Sequence, residues 1–138
     1  MLIERITPQE TLEIRHRVLW PMKPIEFCKL EDDPQGIHYG GFVDGKLICV
    51  ASIFIEGDRA RLRKFATLDE YQHKGYGTSM LNKIIDDLIY IDIKWFWCDA
   101  RVDAEGFYNR FKMSRAGDVF LKSDVEYVVM ERNIRSSL

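Results

Sequence analysis

The spacing of apolar and polar residues changes several times along the chain, and each change predicts an element. Met1–Ile6 is typical of a short strand. The segment Thr7-Pro8-Gln9-Glu10 then offers an N-cap threonine, a proline at the first helical position and a glutamate that can close a capping box. A helix is therefore predicted from about Pro8 to Trp20. Three prolines mark an irregular stretch from about Pro21 to Gly36.

The next segment predicts three antiparallel strands. Two apolar, β-branched runs, Ile37–Val43 and Lys46–Ile55, are separated by Asp44-Gly45. These two residues tolerate the positive φ angles that a two-residue type I′ turn requires. After Gly57-Asp58 a third strand is predicted over about Ala60–Leu68, which completes a meander.

The second half of the chain predicts two further helices and three further strands. After Gly77, apolar residues recur at three- and four-residue spacing, which predicts a helix to about Ile89 with one apolar stripe. The stripe consists of Met80, Leu81, Ile84, Ile85 and Leu88. The continuous apolar run Trp95–Cys98 is typical of a strand in the middle of a sheet covered on both faces. A short helix over Asp103–Phe111 and a closing hairpin of Val119–Leu121 with Val125–Met130 follow.

The predicted order is β α β β β α β α β β, which belongs to the α/β or α+β class. A chain of 138 residues without a low-complexity linker is expected to form a single domain, residues 1–138. The formal net charge of −2 gives no overall positive field, so a nucleic-acid partner is not expected.

Neither a membrane span nor a secretory signal is expected. The longest apolar stretch, Ile89–Cys98, contains Asp92 and Lys94 and is far shorter than the roughly 20 residues of a membrane helix. The N-terminus lacks the basic segment and apolar run of a signal peptide, so a cytoplasmic location is expected. The three cysteines are far apart and have no CxxC spacing, so neither a disulfide framework nor a zinc site is indicated.

The segment between the third meander strand and the next helix carries the clearest chemical signal. Gly75 and Gly77 lie where a strand turns into a helix. The unpaired N–H groups of a helix N-terminus attract phosphate. Glycines let a ligand approach these groups closely, and both are expected to adopt turn angles that a Cβ atom would resist. A Rossmann fingerprint would need a small residue at Met80, and a Walker A loop would need a lysine directly after a glycine, so neither motif fits. A glycine-rich connection without a ligand is the alternative interpretation.

The residues Gln72-His73-Lys74-Gly75-Tyr76-Gly77 resemble the Gln/Arg-x-x-Gly-x-Gly/Ala signature of the GNAT superfamily of N-acetyltransferases. The resemblance extends from about Gly40 to Met130. It implies a mixed, mostly antiparallel sheet with helices on both faces. It also implies an acetyl-CoA-dependent enzyme that acetylates a primary amine, of a small molecule or a peptide, by direct attack in a ternary complex.

The resemblance also assigns roles by position. The pantetheine arm of acetyl-CoA would meet the backbone of Phe65, Ala66 and Thr67. The pyrophosphate would meet the loop residues, which are Gln72, His73, Lys74, Gly75, Tyr76, Gly77 and Thr78. The segment Ala104-Glu105-Gly106-Phe107-Tyr108 resembles the family's later Ala-x-x-x-Tyr helix.

In that helix the family places a tyrosine hydroxyl near the coenzyme sulfur, so Tyr108 would protonate the departing thiolate. Arg101 stands seven residues earlier, where many members carry an asparagine that contacts the coenzyme arm. Asp99 and Glu56 are the candidate general bases, and a water chain could serve in their place.

Several alternatives remain open at this point. The chain could be a non-catalytic module that binds CoA, or a protein-interaction domain without a ligand. Arg59, Arg61 and Arg63 alternate along one strand and could hold an acidic substrate or the CoA 3′-phosphate, although a solvated sheet edge is favoured. The acceptor site is expected to use the first helix, residues 21–36 and the last hairpin. The apolar final strand could pair across a homodimer.

Overall fold

The computed structural model describes residues 1–135, which form seven strands and three α-helices. The strands are β1 Leu2–Ile6, β2 Ile37–Val43, β3 Lys46–Glu56, β4 Arg59–Thr67, β5 Trp95–Arg101, β6 Ser114–Lys122 and β7 Val125–Asn133. The helices are α1 Pro8–Ile14, α2 Tyr76–Tyr90 and α3 Glu105–Asn109. Their order along the chain is the one that the sequence predicts.

All seven strands belong to one mixed sheet in the order β1-β2-β3-β4-β5-β7-β6. The β1–β2, β2–β3, β5–β7 and β6–β7 pairs are antiparallel, and β4–β5 is a parallel pair. The predicted fold class, a mixed and mostly antiparallel sheet with intervening helices, is confirmed. The expected homodimer edge is wrong, because β7 is flanked on one side by β5 and on the other by β6, which is the edge strand.

The residues group into two compact units. Unit 1 comprises Met1–Phe54 and Arg63–Asp86, and unit 2 comprises Ile55–Leu62 and the chain from Asp87 onward. The core of unit 1 includes the fully buried side chains of Ile48, Val50, Met80, Leu81 and Ile84. The core of unit 2 includes those of Phe96, Val128 and Met130. Each large apolar side chain that is fully buried contributes about 1.5–3 kcal/mol to folding.

Helix α2 buries the predicted apolar stripe. All five stripe residues are at most 5% exposed. Among residues 1–135, no helix combines the length and the apolar character needed to cross a lipid bilayer.

The first helix begins as predicted but ends differently. The Thr7 hydroxyl accepts from the Glu10 amide at 3.2 Å, and the Glu10 carboxylate accepts from the Thr7 amide at 2.9 Å. The α-helix ends at Ile14, and Arg15–Leu19 continues as a wider π-helical turn. Arg15 is fully buried at the start of this turn, so its side-chain contacts, described below, override the simple helical period. The stretch that was expected to be irregular contains short 3₁₀ turns at Ile25–Cys28 and Asp33–Gln35.

The hairpin predictions differ in how far they hold. Asp44 and Gly45 have φ angles of 51° and 79°, and Val43 lies opposite Lys46, so the two-residue turn is confirmed. In the closing hairpin, β6 starts earlier than predicted, at Ser114. The reason is an irregularity in the pairing with β7 between Ala116 and Phe120. It interrupts the alternation of apolar and polar residues from which the strand was predicted.

Strand β5 lies inside the sheet as predicted, but it is not buried on both faces. Phe96, Cys98 and Ala100 are buried, whereas Trp95 and Trp97 are half-buried. Because successive side chains of a strand point to opposite faces, β5 has one core face and one partly exposed face. The predicted helix over residues 103–111 consists of a 3₁₀ turn, Val102–Ala104, followed by α3.

Candidate active site

The loop between β4 and α2 contains a run of main-chain N–H groups that have no backbone partner within residues 1–135. His73 and Gly75 lie in the left-handed region, with φ angles of 61° and 85°, and α2 begins directly afterwards. The Ser79 amide bonds the Gly75 carbonyl at 3.0 Å. The amides of residues 73–78 have no backbone acceptor among residues 1–135. Since a helix N-terminus also carries roughly half a positive charge, this loop can bind an anion such as a phosphate.

Gly75 keeps the space in front of these amides open. A Cβ atom at Gly75 would have no other atom within 4 Å, and the positive φ of this residue disfavours any L side chain. Gly77 lies in the first turn of α2 and has no left-handed φ. The expectation that both glycines supply special turn angles is therefore right for Gly75 and wrong for Gly77.

Gln72 ties the loop to the end of β4. Its side-chain nitrogen, Nε2, donates to the Thr67 carbonyl at 2.9 Å and to Asp69 Oδ1 at 3.1 Å. The Leu68 amide donates to the Ile48 carbonyl at 2.9 Å, which anchors the same point of the chain to β3. The loop therefore starts from a fixed position, and its unpaired amides are preorganised.

Cationic side chains lie next to the loop. Lys74 Nζ is 5.9 Å from the centre of the Tyr71 ring, and Lys46 Nζ is 5.5 Å from the same ring. The side chains of His73 and Lys74 are exposed. The site therefore has local positive charge although the whole chain has a net charge of −2.

The backbone of β4 departs from the extended conformation just before the predicted pantetheine segment. Lys64 has a φ of 53°, which is uncommon for a residue other than glycine. Beyond it, Ala66 is buried, while Phe65 and Thr67 are half-buried. The Thr67 hydroxyl donates to Cys49 Sγ at 3.3 Å. Burial raises the pKa of the Cys49 thiol to about 11, so this sulfur is protonated at neutral pH.

In unit 2, Tyr108 of α3 and Cys98 of β5 are both buried. The two side chains are 9% and 2% exposed, and each affects the pKa of the other. Burial raises the pKa of the Tyr108 phenol well above its ordinary value, and the sulfur of Cys98 adds to this effect. Burial also raises the pKa of Cys98 to about 12, together with the neighbouring Asp99 carboxylate. Both groups are therefore protonated at neutral pH, and Tyr108 is in the form that a general acid needs.

The sequence analysis did not identify Cys98 as a neighbour of Tyr108. Because buried and half-buried residues alternate along β5, the strand prediction could have placed Cys98 on the core face. No sequence signal identifies which side chain of α3 this thiol meets.

Asp99 lies on the opposite face of β5 from Cys98, and two cations flank it. Arg61 Nη2 donates to Asp99 Oδ2 at 2.8 Å, and Lys122 Nζ is 3.5 Å from the same oxygen. Arg101, the last residue of β5, is half-buried and lies opposite Tyr127 of β7. Glu56, the other carboxylate considered as a base, is exposed at the end of β3.

The arginines of β4 do not lie on a sheet edge, because β4 lies between β3 and β5. Arg61 lies over the Trp97 ring at 4.8 Å, and Arg59 lies 5.8 Å from the same ring. Arg63 lies 5.9 Å from the Phe54 ring. The solvated-edge interpretation is therefore wrong, and these guanidinium groups cover aromatic rings of the half-buried strands.

Arg15 forms a buried polar cluster in unit 1 that the sequence analysis did not identify. It donates to both oxygens of Asp33, at 2.8 and 2.9 Å, and to Ser52 Oγ at 2.9 Å. The Ser52 hydroxyl is 2.7 Å from His38 Nδ1, and His38 Nε2 is 2.8 Å from the Asp33 carbonyl. All four residues are buried. The cluster connects Arg15, at the end of the first helix, with residues 33–52.

Arg15 could have been noticed as a charged residue among the buried positions of the first helix, which include Thr11, Leu12 and Ile14. In the described part of the chain, His, Cys, Asp and Glu side chains form no group of three or more that could hold a metal ion.

Comparison with known proteins gives a consistent result. The sequence model of the acetyltransferase (GNAT) family matches residues 4–113. A relative named as an uncharacterized N-acetyltransferase, YitI of Bacillus subtilis strain 168, is 32% identical, and the match covers 98% of this chain and 97% of the relative.

Solved structures share the fold at lower sequence identity. The ribosomal-protein-S18-alanine N-acetyltransferase of Escherichia coli matches with a TM-score of 0.82 at 18% identity, over 96% of this chain and 93% of that one. An aminoglycoside 6′-N-acetyltransferase complexed with coenzyme A matches with a TM-score of 0.78 at 13% identity, over 97% of each chain.

Proposed function

The chain belongs to the GNAT family of acetyltransferases, and on that basis we propose that it transfers the acetyl group of acetyl-CoA to a primary amine by direct attack in a ternary complex. The observation that carries the cofactor assignment is the run of unpaired amides at residues 73–78, with open space at Gly75. Acetyl-CoA brings a diphosphate, which such a run of N–H groups binds, and the thioester that reacts.

The loop residues hold the diphosphate in this proposal. The amides of residues 73–78 donate to its oxygens, and Gln72 fixes the loop through the Thr67 carbonyl. Lys74 and His73 add positive charge at the exposed side. Main-chain donors that are already in place cost little reorganisation on binding.

The end of β4 binds the pantetheine arm in this proposal. Main-chain groups of Phe65, Ala66 and Thr67 hydrogen-bond to the arm, and amides in this segment polarise the thioester carbonyl. Donors that are fixed before the reaction stabilise the developing oxyanion without further reorganisation. Arg101, at the end of β5, contributes to the coenzyme arm by analogy with the family's asparagine.

Two proton transfers accompany the reaction, and we assign one to Tyr108 of α3 and the other to Asp99 of β5. Tyr108 donates its proton to the departing sulfur, a step for which its phenol is protonated at neutral pH. Asp99 accepts the proton that the attacking amine loses.

The acceptor in this proposal is an amine of a small molecule or a peptide, and the reaction takes place in the cytoplasm. The cytoplasmic location is supported by the three cysteines, Cys28, Cys49 and Cys98, which are all free and buried.

Turnover with a panel of amines tests this function. The release of free CoA thiol is followed with a thiol reagent, and the buried cysteines keep the protein's own background low. We expect saturable release that depends on both acetyl-CoA and an amine. Tight binding of acetyl-CoA without release for any amine would instead indicate a CoA-binding module. A dissociation constant weaker than about 1 mM, or about −4 kcal/mol, would contradict a role for the cofactor altogether.

A further inference from the structure

Two cations contact the carboxylate of Asp99 in unit 2, and both approach the same oxygen. Arg61 Nη2 lies 2.8 Å from Asp99 Oδ2, and Lys122 Nζ lies 3.5 Å from it. The other oxygen, Oδ1, has no hydrogen-bond or ion-pair partner within residues 1–135. The Asp99 side chain is 16% exposed, so Oδ1 is the atom left for an incoming group. The three side chains together have an excess of one positive charge.

The other charged groups on this face of the sheet do not cancel the excess. Residues that lie opposite each other in paired strands point to the same face. The paired parts of β4, β5 and β7 therefore add four titratable side chains, which are Arg59, Glu131, Arg101 and Tyr127. Arg59 Nη2 is 3.9 Å from Glu131 Oε2, so these two charges offset each other. Arg101 is a further cation at the end of β5. The surroundings of Asp99 Oδ1 are therefore positive overall.

Positive surroundings discriminate between amines by their pKa. An alkylamine such as a lysine side chain has a pKa of about 10.4, whereas the α-amino group of a peptide has a pKa of about 7.7–8.0. At pH 7 about one α-amine in ten is neutral, against roughly one alkylamine in 2,500. An ammonium group that approaches Oδ1 is repelled by the cations on Oδ2, whereas a neutral amine is not. Only the neutral amine has the lone pair that attacks a thioester.

We infer that the acceptor is a weakly basic amine, the α-amino group of a peptide, and that Arg61 and Lys122 set this preference by keeping alkylammonium groups away from Asp99. This inference rests on the proposed function. In the step itself, the acceptor nitrogen bonds to the acetyl carbonyl carbon, and the carbon–sulfur bond of the thioester breaks. The nitrogen gives one proton to Asp99, and the sulfur takes one from Tyr108. The products are an N-acetylated peptide and CoA, and exchange with solvent restores both side chains.

A structural role of the two cations alone has a different consequence. If Arg61 and Lys122 only hold Asp99 in place, the removal of one cation reduces the turnover of every amine by the same factor. If they repel ammonium groups, the removal of one cation favours the alkylamine over the α-amine. The ratio of the two rates therefore separates the explanations, whatever happens to the absolute rate.

Competition within one molecule measures this ratio. The probe is the peptide amide Ala-Gly-Gly-Lys, which has one α-amine and one lysine ε-amine, and tandem mass spectrometry locates the acetyl group. The wild type should acetylate the α-amine in clear excess. In Lys122→Gln the ratio of α- to ε-acetylation should fall about 10-fold, because one of the two repelling charges is gone. In Lys122→Arg, which keeps the charge, the ratio should stay within about 2-fold of the wild-type value.

Lys94→Gln is the matched control for the loss of a lysine in unit 2. Lys94 is exposed and directly precedes β5, at the strand end away from Asp99. This substitution also removes one positive charge from the chain, but not one that contacts the carboxylate. The ratio of α- to ε-acetylation should therefore equal that of the wild type.

A binding measurement tests the same preference without turnover. Calorimetric titrations are made with CoA bound in place of acetyl-CoA, so that no acetyl group can be transferred. At neutral pH alaninamide, an α-amine, should bind more tightly than n-butylamine, an alkylamine. The difference between the two affinities should narrow in Lys122→Gln. Equal affinities in the wild type, or a difference that Lys122→Gln leaves unchanged, would overturn the inference.

The failure of this inference can be told apart from the failure of the proposed function. If the wild type released no CoA with any amine, the proposed function would fail, and the acceptor preference would fail with it. If the wild type turned over amines but acetylated the lysine ε-amine of the peptide in excess, or neither of its amines, only the acceptor preference would be wrong. The same conclusion would follow if Lys122→Gln had the wild-type ratio.

Discussion

Arg61 Nη2 lies 2.8 Å from Asp99 Oδ2, across the parallel β4–β5 pair. Lys122 approaches the same oxygen to 3.5 Å from β6. The carboxylate proposed to receive the amine proton is therefore fixed by two cations on the face of β5 opposite Cys98. This arrangement makes the base hypothesis testable by a substitution that keeps the size of the side chain.

Asp99→Asn should lower kcat about 10-fold at neutral pH. This is less than the roughly 10²- to 10⁴-fold rate contribution that is usual for general acid–base catalysis, because solvent can also take up the proton. The deficit should shrink as the pH rises, because the amine then arrives without its extra proton and needs no base. The measurement is the ratio of wild-type to variant kcat across pH. The control is Glu131→Gln, which changes a carboxylate that lies opposite Trp97 in the β5–β7 ladder and 3.9 Å from Arg59. A ratio that is constant with pH would assign Asp99 to structure alone.

Gly75→Val should abolish the binding of acetyl-CoA while the protein still folds. The added side chain would enter the open space in front of the amides of residues 73–78, and the φ of 85° would cost about 1–2 kcal/mol. Gly45→Val is the matched control, because Gly45 has a φ of 79° and equally open surroundings in a hairpin turn. Calorimetric titration should therefore show binding for Gly45→Val and none for Gly75→Val. Normal affinity in Gly75→Val would rule out the loop as the phosphate site.

Tyr108→Phe should reduce kcat about 100-fold, the low end of the contribution of a general acid, because a thiolate is already a good leaving group. The affinity for acetyl-CoA should change little, since the phenol acts on the sulfur only as the bond breaks. Steady-state kinetics and a binding titration separate the two quantities. The control is Tyr90→Phe, at an exposed tyrosine of α2. Wild-type turnover in Tyr108→Phe would show that the acid has been assigned to the wrong residue.

Some elements of the fold could be predicted from the sequence, and others could not. The Asp44-Gly45 turn and the α2 stripe were predictable because their signals are local: two residues that tolerate positive φ, and apolar residues at helical spacing. The irregularity near Gly117 was not predictable, because it interrupts the alternation of apolar and polar residues along β6. The loop at residues 72–78 was predictable as an anion site from its glycines and the following helix.

The side-chain pairs of the candidate site could not be predicted in the same way. The contact Arg61–Asp99 joins residues that are 38 positions apart, so it depends on the register between two strands. The partner of Arg15 could not be predicted, because Asp33 lies 18 residues away in an irregular segment. Resemblance to a family assigns roles to individual residues, but it does not show which side chains contact each other.

The buried pair of Arg15 and Asp33 predicts a large effect on stability. Arg15→Met leaves the Asp33 carboxylate buried without its partner, which should lower the free energy of unfolding by about 3–5 kcal/mol. Urea unfolding at neutral pH measures this loss, and an unchanged slope with urea indicates that the compactness of the two states is preserved. A loss below about 1 kcal/mol would show that water or another group replaces Arg15.

The same pair predicts how stability depends on pH. Burial alone would raise the pKa of Asp33, but hydrogen bonds from Arg15 and from the Leu30 amide outweigh it and lower that pKa. A carboxyl group with a lowered pKa in the folded state stabilises the protein above its unfolded pKa of about 3.9, and this contribution is lost as the pH falls through the folded value. Wild-type stability should therefore drop in acid below about pH 4, and Asp33→Asn should show a smaller drop.

The central claim is that main-chain donors of the 73–78 loop bind the diphosphate of acetyl-CoA. Its most direct test is a titration of the ¹⁵N-labelled protein with CoA, followed through backbone amide resonances. We predict saturable binding, with the largest shifts at the amides of residues 73–78, which have no backbone acceptors in the described chain. Unchanged resonances for these amides at a CoA concentration of about 1 mM, or shifts centred on another segment, would contradict the account.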